Sequence, residues 1–223
     1  MRFLVLGGTA WLGRHVAEAA LSRGDEVTCL ARGVAGAVTA GLSWVRADMA
    51  QPGAYERLLR QDWDVVLDVA RQPGQVRGTF AALADRTAYW TFVSSGNVYA
   101  DQSRSDGDET GALLPATQGD VMESMETYGQ ARVACEQHVL TGMGADHAMI
   151  ARVGLIGGPG DVSDRSGYWP LRFARPARPD GAFFVPEAPS LPADPGRRAG
   201  MGTGPRTGHA PGRPVRPRRT RAP

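Results

Sequence analysis

The chain has 223 residues, of which 42% are hydrophobic, and its formal net charge is +2. This content suffices for a large domain with a buried core, and no run of about 18 apolar residues predicts a membrane-spanning helix. The chain begins directly with an apolar strand pattern rather than a charged leader, and Cys29 and Cys135 form neither a C-x-x-C pair nor a cluster with histidines. We therefore expect a cytoplasmic protein with no metal site and no membrane contact.

The first 31 residues predict a strand, a helix and a second strand. Phe3 to Leu6 is a continuous apolar run, and residues 11–23 carry apolar side chains at helical spacing before Gly24. Residues 25–31 are rich in β-forming side chains. This segment has the length of one β-α-β unit.

A glycine-rich turn joins the first strand to the helix. Its pattern is G-x-x-A-x-x-G, with Ala10 between Gly7 and Gly13. Glycines allow a close turn, and the free N–H groups of a helix start suit a pyrophosphate, although an ordinary glycine turn is the alternative interpretation. The residues expected to bind a dinucleotide here are Gly7, Gly8, Thr9, Ala10, Trp11, Leu12 and Gly13.

Strand and helix patterns continue to alternate along the chain to about residue 153. This alternation predicts an α/β fold of Rossmann type, with a doubly wound parallel sheet. The predicted strands are residues 43–46, 63–70, 89–93 and 148–153, and the predicted helices are residues 55–60, 73–86 and 124–141.

Selectivity between NAD and NADP is expected to depend on the end of the second strand. An acidic residue there favours NAD, whereas the residue present is Arg32, which favours the 2′-phosphate of NADP over NAD. Asp48 follows the third strand and can either bind the adenine amino group or cap the next segment. Val69 and Ala70 end the fourth predicted strand, where ligands of doubly wound sheets bind.

Four motifs in order resemble the extended or atypical short-chain dehydrogenases/reductases, and specifically the NAD-dependent epimerase/dehydratase family. The resemblance covers roughly residues 1–186. The motifs are V-L-G-G-T-A-W-L-G-R-H at 5–15, V-S-S-G-N-V-Y-A at 93–100, Y-G-Q-A-R-V-A-C-E at 128–136 and R-V-G-L-I-G-G-P-G-D at 152–161.

The resemblance implies a role for each matching residue. Ser95, rather than Ser94, would polarise the substrate oxygen, and Tyr128 would act as general acid/base. Arg132 stands where the family has a lysine that holds the nicotinamide ribose, and Gly157 belongs to a loop that lies against the nicotinamide end. The family also implies a homodimer formed through the helices at 73–86 and 124–141.

Arginine at position 132 changes the chemistry that the family's lysine provides. Residues four apart share a helix face, so Arg132 supplies a positive charge beside Tyr128. Its guanidinium cannot release a proton, and its planar fork has a different reach from a lysine ammonium. Ribose contact and proton transfer are therefore both expected to be impaired.

The resemblance implies a dinucleotide-binding domain at 1–165 and the start of a substrate-binding domain at 166–190, and the change in composition predicts a separate tail at 191–223. The tail has eight arginines and one acidic residue, Asp194, and with its proline and glycine content it predicts disorder. An Arg-Pro tail can contact nucleic acid phosphates, but we favour a frameshift that replaced most of the substrate domain, leaving a remnant.

These observations predict an NAD(P)-dependent epimerase, dehydratase or reductase that acts on a sugar nucleotide or a similar small carbonyl or alcohol substrate. Two alternatives stay open. One is a cofactor-binding protein with weak or no turnover, and the other is an RNA-associated relative of the family. We expect nucleic acid not to be the partner.

Overall fold

The computed structural model describes residues 1–103 and 107–161, together with residues 163, 167, 170, 171, 174 and 175. Six parallel strands form one sheet in the order β3-β2-β1-β4-β5-β6. The chain builds the sheet outward from β1 in one direction and then from β4 in the other, so the doubly wound Rossmann-type prediction is confirmed. The strands are β1 (Arg2–Leu6), β2 (Glu26–Ala31), β3 (Ser43–Arg46), β4 (Trp63–Asp68), β5 (Thr87–Ser95) and β6 (Ala148–Val153), and the α-helices are α1 (Trp11–Ser22), α2 (Pro73–Leu83) and α3 (Tyr128–Met143).

Both faces of the sheet are buried, as parallel sheets require. Alternate residues of β1 point to opposite faces, so Leu4 and Leu6 belong to one apolar core and Phe3 and Val5 to another. The first core also contains residues of α2 and α3, such as Val76 and Val139, and the second contains residues of α1, such as Ala17. The two layers of helices follow from this alternation.

Several predicted boundaries differ from the structure: the strand predicted at 89–93 runs over Thr87–Ser95, the helix predicted at 73–86 ends at Leu83, and three more differ as follows. The predicted helix at 55–60 is a 3₁₀ turn over Leu58–Arg60 only, and the Trp63 Nε1–H donates to the Leu58 carbonyl oxygen (3.2 Å). β4 ends at Asp68, two residues early, because the Asp68 carboxylate accepts the Ala70 N–H and turns the chain. The helix predicted at 124–141 begins as a 3₁₀ turn and becomes α-helical only at Tyr128.

The predicted connection at 100–123 folds back on the end of β5. Tyr99 and Leu113 form an antiparallel bridge, the Ala100 N–H donates to the Ala112 carbonyl oxygen (2.9 Å), and the Leu114 N–H donates to the Val98 carbonyl oxygen (2.8 Å). These bonds place residues 99–103 and 107–112 at the carboxyl end of the sheet.

The predicted tail at 191–223 lies outside the described residues, as does most of the predicted start of a substrate domain at 166–190. In the part of the chain that the structure describes, no helix is long and apolar enough to cross a membrane. The same part contains no cluster of three or more His, Cys, Asp or Glu side chains that could hold a metal ion.

Candidate functional site

A cleft of about 1350 Å³ opens at the carboxyl ends of the strands, beside the point where strand order reverses. In doubly wound sheets, this is where ligands bind. Its walls come from the start of α1, the ends of β4, β5 and β6, the start of α3 and the segment after Tyr99. The predicted site residues that line it are Ala10, Trp11, Leu12, Gly13, Val69, Ser95, Tyr128 and Arg132.

The glycine turn has no room for side chains. A Cβ on Gly13 would lie 2.6 Å from the Gly7 carbonyl oxygen, and one on Gly7 would lie 2.6 Å from Val69 Cγ2. A Cβ on Gly8 would overlap the Cys29 sulfur. These contacts let the turn, β2 and α1 approach closely, while the intervening Thr9 is buried.

The amino terminus of α1 faces the cleft without a side-chain cap. Ala10 is the N-cap residue, and its methyl group can accept no N–H. The first N–H groups of a helix have no intrahelical partner, and together with the helix dipole they attract an anion. The closely packed turn and the uncapped helix start therefore fit a dinucleotide pyrophosphate.

The two residues predicted to select the cofactor lie together but outside the lining of the cleft. The Arg32 guanidinium is 3.8 Å from the Asp48 carboxylate, and both side chains remain partly exposed. Asp48 also accepts the Ala50 N–H (3.0 Å), so it caps the segment after β3. Arg32 is therefore a cation at the edge of β2, with a weak surface partner that a ligand phosphate can replace.

The loop after β6 is held against the start of α1 by a contact that the sequence did not predict. The Trp11 Nε1–H donates to the Pro159 carbonyl oxygen (3.0 Å), and His15 Nε2 lies 3.0 Å from the same oxygen. A Cβ added at Gly158 would lie 3.4 Å from the Trp11 ring, and one added at Gly160 would lie 3.6 Å from it. Gly157 is exposed in this loop, next to the part that Trp11 holds.

Ser95 and Tyr128 reach the cleft from different elements. Ser95 ends β5, where its hydroxyl donates to Asn97 Oδ1 (2.8 Å) and accepts the Asn97 N–H (3.2 Å). Tyr128 is the first residue of α3 and is half-buried. The predicted hydroxyl pair therefore shares one cavity with the glycine turn.

Arg132 is buried, and its terminal nitrogens bind the protein backbone. Its guanidinium donates to the carbonyl oxygens of Ala70 and Val93, next to the ends of β4 and β5. The guanidinium carbon lies 4.4 Å from the Phe92 ring centroid and 5.9 Å from that of Tyr128. The charge is thus near Tyr128, as predicted, but over the face of its ring. Ala70 is itself buried and serves as a partner of Arg132 rather than as cleft lining.

A second buried charge lies under the cleft at Asp68. Its Oδ1 accepts the Ala70 N–H (2.8 Å), whereas its Oδ2 and the Arg132 Nε have no hydrogen-bond partner among the described residues. Burial raises the pKa of the Asp68 carboxyl from 3.8 to about 6, and the Ala70 N–H and the Arg132 charge offset only part of this effect.

Four further polar residues meet behind Ser95, and the sequence reasoning assigned no role to three of them. Glu136 accepts from the Ser94 hydroxyl and from the Arg152 guanidinium, which also donates to the Tyr99 hydroxyl. The Glu136 carboxylate raises the pKa of Arg152. One signal was available: Glu136 lies four residues after Arg132 on the same helix face, and such a face packs into the protein.

Comparisons with known proteins agree with this geometry. The model of the NAD dependent epimerase/dehydratase family matches residues 3–176. A putative epimerase from Burkholderia cenocepacia J2315 is 25% identical, with a TM-score of 0.61 over 78% of this chain and 61% of that chain. Comparison with curated proteins gives no match.

Two other solved structures share the fold at lower identity. UDP-glucose 4-epimerase from Thermus thermophilus, in complex with NAD, is 21% identical, with a TM-score of 0.53 over 68% of this chain and 54% of that chain. The Bordetella bronchiseptica enzyme WbmG, in complex with NAD and UDP, is 17% identical, with a TM-score of 0.56 over 71% of this chain and 55% of that chain.

The chain spans less than two thirds of the length of each of these solved structures. The family match nevertheless covers most of this chain, including the glycine turn and the segments that carry Ser95 and Tyr128. The chain therefore belongs to the NAD-dependent epimerase/dehydratase family.

Proposed function

We propose that the chain binds a nicotinamide dinucleotide across the glycine turn and acts on an alcohol or carbonyl group of a nucleotide sugar or a similar small substrate. The observation that carries this proposal is that Ser95 and Tyr128 line the same cleft as the uncapped start of α1. The names of the similar structures, among them UDP-sugar epimerases and a dehydratase, support the substrate class.

The residues of the cleft have separate roles in cofactor binding and in proton transfer. The close packing at Gly7, Gly8 and Gly13 brings the start of α1, with its free N–H groups, to the pyrophosphate, while the Gly7 N–H itself donates to the Leu30 carbonyl oxygen (2.9 Å). Gly157 and its loop close the nicotinamide end. Ser95 donates a hydrogen bond to the substrate oxygen, and the Tyr128 hydroxyl exchanges a proton with that oxygen. When bound, the cofactor accepts or supplies a hydride at its nicotinamide ring.

Arg32 supports NADP over NAD as the cofactor. Arg32 directly follows β2, where the adenosine ribose lies in such folds. Its exposed guanidinium lies 3.8 Å from the Asp48 carboxylate, which is a weak surface contact. Binding NADP would exchange that weak contact for a bond to a doubly charged phosphate.

A second function, cofactor binding with little turnover, is supported by Arg132. A lysine at this position would present an ammonium that can move between the ribose and Tyr128, whereas this guanidinium is bound to the carbonyl oxygens of Ala70 and Val93. The charge is present, but its hydrogen bonds are directed to the backbone.

Titration of the purified chain with NAD and NADP tests the binding proposal. We expect NADP to bind more tightly, and tighter binding of NAD would contradict the role of Arg32.

With UDP-glucose as substrate, Tyr128→Phe should abolish reduction of the bound cofactor, because the phenylalanine ring cannot exchange a proton. Binding without any cofactor reduction by the wild-type chain selects the second function.

For the assembly, we propose a homodimer formed through α2 and α3. The two helices pack side by side on one face of the sheet, and Leu140 of α3 remains exposed. Light scattering measures the mass in solution, and a monomer at all concentrations would contradict this proposal.

A further inference from the structure

A charged network lies behind β5, on the side of Ser95 away from the glycine turn. Glu136 of α3 is only 1% exposed. Its two carboxylate oxygens face Arg152 of β6, with Nε at 3.1 Å and Nη2 at 2.9 Å from Oε2. The Ser94 hydroxyl donates to the other oxygen, Oε1. Glu136 therefore has a partner for each oxygen, which a buried carboxylate needs.

Arg152 continues the network to the segment after β5. Its Nη1 donates to the Tyr99 hydroxyl (3.2 Å) and to the Glu109 carbonyl oxygen (3.2 Å), and its guanidinium carbon lies 5.1 Å from the Tyr99 ring centroid. One arginine thus joins α3, the end of β5 and the returning segment. Bidentate arginine contacts of this kind fix geometry as well as charge.

The network separates the roles of two adjacent serines. Neighbouring residues of a strand point to opposite faces. Ser94 is bound to Glu136, whereas the hydrogen bonds of Ser95 among the described residues stay within its own turn, at Asn97. Ser94 is therefore a structural partner of Glu136, and the Ser95 hydroxyl remains beside the cleft.

The network also fixes the wall of the cleft that faces the glycine turn. We call this the substrate-side wall: residues 99–102 and 107–112, most of which line the cleft. Its base is held by the Tyr99–Leu113 bridge, and its inner side is held by Arg152 at Tyr99 and Glu109. Loss of the Arg152 contacts would remove the bonds that join Tyr99 and Glu109 of the wall to β6, and would keep the bridge and the Ala100 and Leu114 backbone bonds at its base.

We propose that Glu136 and Arg152 are positioning residues, which hold Ser95 and the substrate-side wall in place for the substrate and leave the dinucleotide turn untouched. The part that concerns substrate rests on the proposed function; the part that concerns the wall does not. Neither residue touches the reacting atoms, and each acts through Ser94, Tyr99 and the backbone of Glu109.

Hydrogen exchange of the full chain tests the structural part directly. Glu136→Gln removes the ion pair with Arg152 and replaces one of the two acceptor oxygens by an NH₂ group, and we expect amide exchange in residues 96–103 and 107–114 to be at least about tenfold faster. Exchange in the glycine turn and NADP affinity should stay within about twofold of wild type. The matched control is Glu56→Gln, at an exposed glutamate in the turn between β3 and β4, outside the lining of the cleft. Unchanged exchange in the wall overturns the proposal, whether or not the chain has activity.

Kinetics test the part that concerns substrate. Measured in the Arg132→Lys background with UDP-glucose, Glu136→Gln should raise KM by about tenfold or more, with kcat lowered less. Ser94→Ala removes one hydrogen bond and keeps the ion pair, so it should also raise KM and lower kcat, each by a smaller factor than Glu136→Gln. It replaces Glu136→Gln as the test variant if that protein does not fold. An unchanged KM with faster exchange would limit the two residues to holding the wall and would overturn the part of the proposal that concerns substrate. Absence of both NAD and NADP binding by the wild-type chain would instead contradict the proposed function, and hydrogen exchange would still decide whether Glu136 and Arg152 hold the wall.

Discussion

At the scale of single residues, Arg132 is a buried cation of the candidate site, at the position where the family resemblance implies a lysine. Its guanidinium lies near the Tyr128 ring, so the positive charge is kept. Its terminal nitrogens bind the Ala70 and Val93 carbonyl oxygens, so the hydrogen bonds are directed to the backbone. A lysine ammonium can place its charge and its hydrogen bonds on the same partner, whereas Arg132 places its charge near Tyr128 and its hydrogen bonds on the backbone.

Arg132→Lys should raise the rate of cofactor reduction by about tenfold or more, which corresponds to about 1.4 kcal/mol in the activation barrier. The lysine ammonium is smaller and is free to move towards the cofactor ribose and the Tyr128 hydroxyl. The rate is measured from the absorbance of the reduced nicotinamide in single-turnover experiments with UDP-glucose. A lower rate in Arg132→Lys would show that the guanidinium itself supports the reaction.

Asp68 should make the free energy of unfolding depend on pH. Its pKa in the folded protein is about 6, above the value of 3.8 for a free side chain, so the fold favours the protonated carboxyl. This stabilisation is complete below the unfolded-state pKa and is lost as pH rises through the folded-state pKa, an effect of about 3 kcal/mol.

Asp68→Asn should remove this pH dependence, because the amide oxygen can still accept the Ala70 N–H and carries no charge. Urea unfolding of both proteins, from about pH 4 to pH 7, measures the difference. The wild-type free energy of unfolding, taken relative to Asp68→Asn, should fall over this range. A constant difference would mean that Asp68 titrates normally in the fold.

At the scale of elements, the β1–α1 turn depends on three glycines for its close packing. The Cβ of an alanine at position 13 would lie 2.6 Å from the Gly7 carbonyl oxygen and 2.9 Å from the Gly8 Cα, and both are backbone atoms. Backbone cannot move aside as a flexible side chain can, so the turn and the start of α1 would separate.

Gly13→Ala should therefore weaken NADP binding at least about tenfold, because the N–H groups for the pyrophosphate would be displaced. Isothermal titration calorimetry provides the affinity. The control is Gly119→Ala, at an exposed position where the nearest atom is 3.7 Å from the new Cβ. Equal affinities in the two variants would show that the turn does not hold the dinucleotide.

At the scale of the whole molecule, the two cysteines lie on opposite faces of the sheet. Cys29 belongs to the core beneath α1, and Cys135 belongs to the core beneath α2 and α3. Both are free and buried, and burial raises the pKa of each thiol to about 12. Neither thiol is therefore available as a thiolate at neutral pH in the folded protein.

We expect no thiol of the native chain to react with a disulfide reagent, and both to react over the same denaturant range in which circular dichroism is lost. The physical reason is that one sheet forms a wall of both cores, so opening one layer exposes the other. Cys29→Ser and Cys135→Ser assign the reactive thiol. Reaction of one cysteine before the main transition would show that the two layers unfold separately.

The sequence by itself determined the order of elements, because hydrophobic periodicity and glycine positions are local properties. The bounds predicted for β3 and β6 are correct, and the turn at residues 7–13 lies between β1 and α1 as predicted. Ser95 and Tyr128 were named from motifs, and the fold brings both to one cleft. The helix expected at 55–60 was wrong: the structure has a 3₁₀ turn over Leu58–Arg60 only, in which the Leu58 N–H donates to the Tyr55 carbonyl oxygen (2.8 Å).

Only the tertiary structure decided the partners of the charged residues. Arg132 binds carbonyl groups 62 and 39 residues away in the chain, and Glu136 binds a serine 42 residues away. Periodicity indicates which face of an element is buried, but the register of β4, β5 and β6 decides which groups meet there. For this reason Arg132 was recognised as an unusual residue from sequence, whereas its backbone contacts and the Glu136–Arg152 pair became visible only in the fold.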